Sequence, residues 1–286
     1  FAEGARATVF TDKGGYTGTI LPLKASGHTY NTEIDTQPVG WDHVEMRIDA
    51  FSTTADHLGR LGIEVGDLVA IHPLPEFLPN GYIVSRHLDD KAGVAVMMAA
   101  LKTLLETGTV PDVDIYFLFT IAEETGHGAS SVLSPDIASL VAIDNGTTAP
   151  GQNSEEFGVT ISMGDQTGPF DYHLTRKLVR LCAQNDIRYQ KDVFRYYRSD
   201  AAAAVEAGAD VRTALITFGI DASHGYERIH MHALRSLAEL AVAYALSPVE
   251  ISRDAREFAS LKGFTTQPTA DAEQNLTPDT ARPDRQ

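Results

Sequence analysis

Between about Gly81 and Pro248, short apolar runs alternate with stretches of helical periodicity, and this alternation restricts the chain to an α/β architecture. Strands that are apolar on both faces belong in a mostly parallel, mixed sheet flanked by helices. Val113-Asp-Ile-Tyr-Phe-Leu-Phe-Thr-Ile121 reads as a central strand, Leu140-Val-Ala-Ile143 as a second and Ala214-Leu-Ile-Thr-Phe218 as a third. Ahead of them, Ser85-Arg-His-Leu-Asp-Asp-Lys-Ala-Gly93 opens a helix with Val96, Ala99, Ala100 and Leu104 on one face and Gly108 as its stop.

The flanking regions differ in character. Residues 1–80 are rich in Gly, Thr and Pro, with alternating runs at Ala7–Phe10, Tyr16–Leu21, Val44–Ile48 and Asp67–Ile71, the pattern of a small β-rich domain. The α/β part spans 81–262. The tail, 263–286, has almost no large apolar residue and is expected to be disordered.

The chemistry lies where the predicted strands end. The Val113–Ile121 run leads into Ala122-Glu123-Glu124, the second strand into Asp144-Asn145-Gly146, and the third through Gly219 into Ser223-His224-Gly225-Tyr226-Glu227. The carboxyl edge of such a sheet is where ligands bind. Taken singly, an Asp before a helix is an N-cap and Asp-Asn-Gly is a turn signal. In conjunction, Asp89 or Asp90, the Glu pair, Asp144 and His224 form a carboxylate and imidazole set suited to zinc, cobalt or manganese. A two-metal hydrolytic site explains them together: some carboxylates hold the ions and one stays unligated to move protons. Neighbouring side chains on extended backbone diverge, so Glu123 and Glu124 can serve both needs.

Charge and cysteine content exclude other classes. The formal net charge of -16 argues against a nucleic-acid or anionic membrane surface. No run of about 20 apolar residues suggests a membrane span. Cys182 is the only cysteine, which rules out an intrachain disulfide and a cysteine-rich zinc site and fits a reducing, cytoplasmic location.

Ser85–Gly93, Thr120-Ile-Ala-Glu-Glu-Thr-Gly126, the Ile143-Asp144 strand end, Tyr197-Arg-Ser-Asp-Ala201 and Ala222-Ser-His-Gly-Tyr-Glu-Arg-Ile-His230 together resemble the tetrahedral, or glutamyl, aminopeptidase family of two-metal peptidases. Asp35-Thr-Gln-Pro-Val-Gly-Trp-Asp-His43 and Gly168-Pro-Phe-Asp-Tyr-His-Leu-Thr-Arg176 are similar, more narrowly, to the branch associated with the osmoprotectant N-acetylglutaminylglutamine amide. The resemblance implies a zinc-peptidase-like catalytic domain, peptide substrates and two divalent ions, zinc or cobalt. It implies Asp89 as bridging ligand, Glu124 and His224 as ligands of one metal, Asp144 as a ligand of the other, and Glu123 as general base. It further implies that the β-rich segment is an inserted dimerisation domain, in a homo-oligomer ranging from dimer to dodecamer.

Two departures set further expectations. The family's remaining imidazole ligand lies on a strand ahead of the inserted domain, and this sequence opens past that point; His28 and His43 are poor substitutes. The chain is therefore expected to hold one metal well and the other poorly, with weak or no activity. The Ser-His-Gly-Tyr-Glu segment replaces the usual His-Ser-Pro, which leaves His230 as an alternative to His224. A related metal-dependent deacylase or carboxypeptidase and a non-enzymatic scaffold are the rival readings.

Overall fold

The computed structural model of the chain describes residues 2–250, so the expected tail, 263–286, lies outside the described residues. β1 (Arg6–Thr11), β2 (Gly14–Pro22), β3 (Val44–Ile48) and β4 (Leu68–Ile71) pair antiparallel in the order β3-β2-β1-β4, matching the alternating runs of the sequence. Alternation decides which face is covered. Ala7 and Val9 of β1 are buried while Phe10 is exposed, and Ala2, Ala7 and Ile20 pack with Val44, Met46 and Ile71. Single-turn helices α1 (Gly27–Tyr30) and α2 (Glu33–Thr36) precede β3, and α3 (Ala55–Leu61) follows it. The Thr54 hydroxyl caps α3 by accepting from His57 N–H, and Gly62 ends it in the left-handed conformation at φ 81°.

The second sheet comprises β5 (Glu76–Phe77), β6 (Tyr82–Ser85), β7 (Ser139–Thr147), β8 (Val159–Ser162), β11 (Tyr189–Asp192), β12 (Arg212–Asp221) and β13 (Glu227–His230). β9 (Gly164–Asp165) and β10 (Gly168–Pro169) form a separate small hairpin. The large sheet runs β11-β8-β12-β13-β6-β5, with β7 also beside β12. It is mixed: β7–β12 and β8–β11 are parallel, and the other ladders are antiparallel. β12 shows why the sheet is covered on both faces. Ala214, Ile216, Phe218 and Ile220 point into one core, with Leu178, Leu237 and Leu240, while Leu215 points into another with Ala142, Phe170, Phe194 and Ala201. Burying each Leu, Ile or Phe contributes about 1.5–3 kcal/mol, so both faces of this strand hold the domain together.

The covering helices are α4 (Leu88–Thr107), α5 (Tyr172–Gln184), α6 (Asp200–Glu206) and α7 (Met231–Ala245). Asp171 caps α5 by accepting from Leu174 N–H, and His230 caps α7 by accepting from His232 N–H. Gly108 ends α4 at φ 63°, as expected. Along α4, Ala92, Val96, Ala100 and Leu104 are buried, whereas Ala99 faces outward with Met98.

One expected strand is absent. Val113–Ile121 joins no ladder among the described residues, and Tyr116 and Ile121 are 66% and 100% exposed. A strand exists only when a neighbour takes up its N–H and C=O groups, and no described strand pairs with this run. β7, in contrast, outruns expectation: Asp144, Asn145 and Gly146 stay inside it, paired with Thr217, Phe218 and Gly219 of β12 rather than forming a turn.

Candidate metal centre

Asp89 occupies the centre of the site because the chain leaves β6 and delays its helix. Asp89 and Asp90 carry non-helical backbone angles inside the first turn of α4, so their side chains are not tied to the helix surface. His224 approaches from the turn between β12 and β13, where Ala222 and His224 adopt φ 57° and 62° and Gly225 N–H donates to the Ala222 carbonyl at 2.8 Å. Left-handed backbone at a residue other than glycine is uncommon and marks a conformation held by its surroundings. Those surroundings are visible in Glu227, which is 1% exposed. One Glu227 oxygen accepts from His224 N–H at 2.8 Å, and the other accepts from Leu88 and Asp89 N–H at 2.6 and 3.1 Å. A single buried carboxylate thus ties the backbone of His224 to that of Asp89.

The ligand-type atoms form two groups that share Asp89. Asp89, Glu124 and His224 make one, and Asp89, Asp90 and Asp144 make the other; in each, the candidate ligand atoms lie within 4.8 Å of one another. His224 Nε2 sits 3.2 Å from Asp89 Oδ2 and 3.3 Å from Glu124 Oε2. The sequence-expected residues Asp89, Glu124, Asp144 and His224 therefore come together. Glu123 belongs to neither group, and occupies the adjoining 3-10 turn, Glu123–Thr125. His230 is elsewhere: its Nε2 lies 3.0 Å from the Asn80 carbonyl oxygen, and its ring packs against Tyr82 and Phe157. His28 and His43 join no such group among the described residues.

Electrostatics show the same crowding. Burial first, then the charges of Asp200, Glu124 and Asp89, push the Glu123 carboxyl up to about 7. Burial and then the Asp89 charge raise Asp144, against the stabilising contacts of Tyr197 and Asn145 N–H. Burial, then Asp144 and Asp89, raise Asp90, whose Oδ1 accepts from Gly93 N–H at 3.1 Å. Burial and Asp89 also raise Glu124, which His224 and His87 partly offset. Divalent cations would relieve this repulsion, and the oxygen and imidazole donors suit zinc, cobalt or manganese, so the residues present fit metal.

Sequence reasoning did not assign Asp90, Glu227 or Tyr197. Asp90 stood in the quoted helix-opening motif, where the residues alone left it equivalent to Asp89; in the structure Asp89 belongs to both groups and Asp90 to one. The half-buried Tyr197 donates its hydroxyl to the Asn145 carbonyl at 2.9 Å, beside Asp144, a contact across 52 positions that no spacing signals. Glu227 closed the quoted His224 segment without a role of its own. No helix among the described residues is long and apolar enough to cross a membrane.

Known proteins match the chain over most of its described length. The family model for M42 glutamyl aminopeptidases matches residues 1–240. YhfE of Bacillus subtilis (strain 168), a protein assigned as an aminopeptidase, is 37% identical over 248 residues, covering 86% of this chain and 71% of YhfE. Among solved structures, a TET aminopeptidase from a marine sediment Thaumarchaeota archaeon superposes with a TM-score of 0.74 at 18% identity, over 85% of this chain and 71% of that one. The Pyrococcus horikoshii TET1 peptidase, which assembles into a tetrahedron or a large octahedral shell, gives 0.69 at 24% identity, over 86% and 73%. These two structures share the fold, and the family match together with YhfE sets the relationship: the chain belongs to the M42 glutamyl aminopeptidase family and is, by class, a metal-dependent aminopeptidase.

Proposed function

We propose that the protein removes N-terminal residues from peptides at a site built for two divalent ions, with Asp89 bridging them and Glu123 as the general base. The observation that carries this reading is that Asp89 alone belongs to both groups of ligand-type atoms while Glu123 stands beside them in neither. Asp89, Glu124 and His224 would hold one ion, and Asp144 the other with Asp90 close by. Zinc or cobalt suits the first group, which includes an imidazole; the second, all carboxylate among the described residues, is the weaker. Bound ions supply Lewis acidity that polarises the scissile carbonyl and acidifies water. Glu123, unligated and held near neutrality, takes the proton of the attacking water and delivers it to the departing amine.

Three further assignments belong to the same reading. The small sheet, residues 6–71, is a dimerisation surface within a homo-oligomer, supported by exposed Phe10 and Leu68 side by side on β1 and β4. The protein is cytoplasmic, in keeping with its single, buried thiol. The osmoprotectant-associated branch rests on residues 35–43 and 168–176. The direct test compares free-amine and N-acylated peptides with the zinc- or cobalt-loaded protein. Hydrolysis confined to free amines, and lost in Glu123→Gln, is expected; cleavage of the acylated set alone would overturn the aminopeptidase reading in favour of a deacylase or carboxypeptidase.

A further inference from the structure

We propose that Asp200 is a positioning residue for the loop that carries Glu123 and Glu124, a role that rests on the metal-ligand assignment above. The loop needs an external anchor. Residues 120–129 belong to no ladder, and their internal order is one tight turn in which Gly126 N–H donates to Glu123 O at 2.7 Å and His127 N–H to Ala122 O at 3.0 Å. Asp200 grips both ends. Its Oδ2 accepts from the Thr120 hydroxyl at 2.6 Å, and its Oδ1 accepts from Ala129 N–H at 2.8 Å. Gly128 makes the approach possible, since a Cβ there would lie 2.1 Å from Asp200 Oδ1.

Asp200 is itself referred to the strand that carries Asp144. It opens α6, whose Ala201, Ala202, Ala203 and Ala204 are all buried, with Ala201 packed against Ala142 and Leu215. Three residues earlier, the Tyr197 hydroxyl donates to the carbonyl of Asn145, the residue after Asp144 on β7, at 2.9 Å. The segment from Tyr197 to Asp200 therefore fixes the Glu123–Glu124 loop relative to Asp144, a distance no backbone ladder sets. Both functions are native to a carboxylate, which can accept at each oxygen at once; asparagine keeps the acceptor for Ala129 and can donate to the Thr120 hydroxyl, whereas alanine does neither.

The test is a cobalt titration of the full chain followed by visible absorption, which reports both affinity and ligand geometry, on the parent, Asp200→Ala, Asp200→Asn, Gly128→Ala and Glu124→Ala. Asp200→Ala is expected to weaken cobalt binding by about 10–100-fold and alter the spectrum, the usual effect of losing a support behind a ligand. Asp200→Asn should restore most of the affinity, and Gly128→Ala should weaken binding by pushing on the same contact. Parent-like affinity and spectrum in Asp200→Ala, alongside weakened binding in Glu124→Ala, would overturn the positioning role. Unchanged binding in Glu124→Ala would instead overturn the ligand assignment beneath it. Should Asp200→Ala fail to unfold cooperatively, parent-like cobalt binding in folded Gly128→Ala overturns the role on its own.

Discussion

Glu123 and Glu124 are adjacent in sequence yet separate in role, because only Glu124 lies within reach of His224 and Asp89. Glu123→Gln should retain bound cobalt while hydrolysis falls by roughly 10²–10⁴-fold, the span of a lost general base; parallel metal analysis and peptide assay would detect any departure. The raised carboxyls also set a pH dependence. The native metal-free chain holds protons on Glu123 up to about 7, above the ordinary 4.5, and Asp90, Asp144 and Glu124 shift in the same direction. Between those limits the folded state binds more protons than the unfolded one, so metal-free stability is greatest on the acid side and falls as pH rises towards 7. Cobalt competes with protons for the oxygens of Asp144, Glu124 and Asp90, whose carboxyls are also raised, so its affinity should rise with pH. Urea melts of the metal-free chain that strengthen from about pH 5 to 7 would contradict the assignment. At this scale the sequence was informative where chemistry type matters, naming Asp89, Glu123, Glu124, Asp144 and His224. It was silent on Glu227 and Tyr197, whose roles arise only once distant backbone atoms converge on them.

At the scale of elements, β12 is the member on which the site depends, since it pairs with β7 along nine residues and leads into the His224 turn. Phe218 is fully buried there, so Phe218→Ala should cost about 3–5 kcal/mol of unfolding free energy by urea denaturation. Gly219 tests close approach rather than volume: a Cβ would lie 2.0 Å from the Glu155 carbonyl oxygen, a backbone atom that cannot swing aside. Gly219→Ala should cost about 1–3 kcal/mol or more in the same assay. The strands of residues 6–71, β7 and β12 were legible because alternation and apolar runs report burial directly. Val113–Ile121 misled for the same reason, as its apolar content is that of a buried strand while pairing depends on a neighbour that local sequence cannot reveal. Asp144-Asn145-Gly146 misled in the other direction, since turn-forming residues were held in β7 by β12 alongside.

Across the whole molecule, the exposed apolar pair Phe10 and Leu68 and the acid-rich centre make separate predictions. Light scattering coupled to size exclusion should give a mass above that of one chain, reduced by the double change Phe10→Asp and Leu68→Asp without loss of helical circular dichroism. A monomeric parent would remove the interface assignment and leave the metal centre untouched. The centre itself is tested most directly by counting metal per chain, by mass spectrometry after cobalt loading and desalting, in the parent and in Asp89→Ala. Because Asp89 is shared by both ligand groups, the parent should retain at least one ion, with the second more easily lost, and the variant should retain almost none. Equal metal content in the folded parent and the folded variant would contradict a centre built around Asp89.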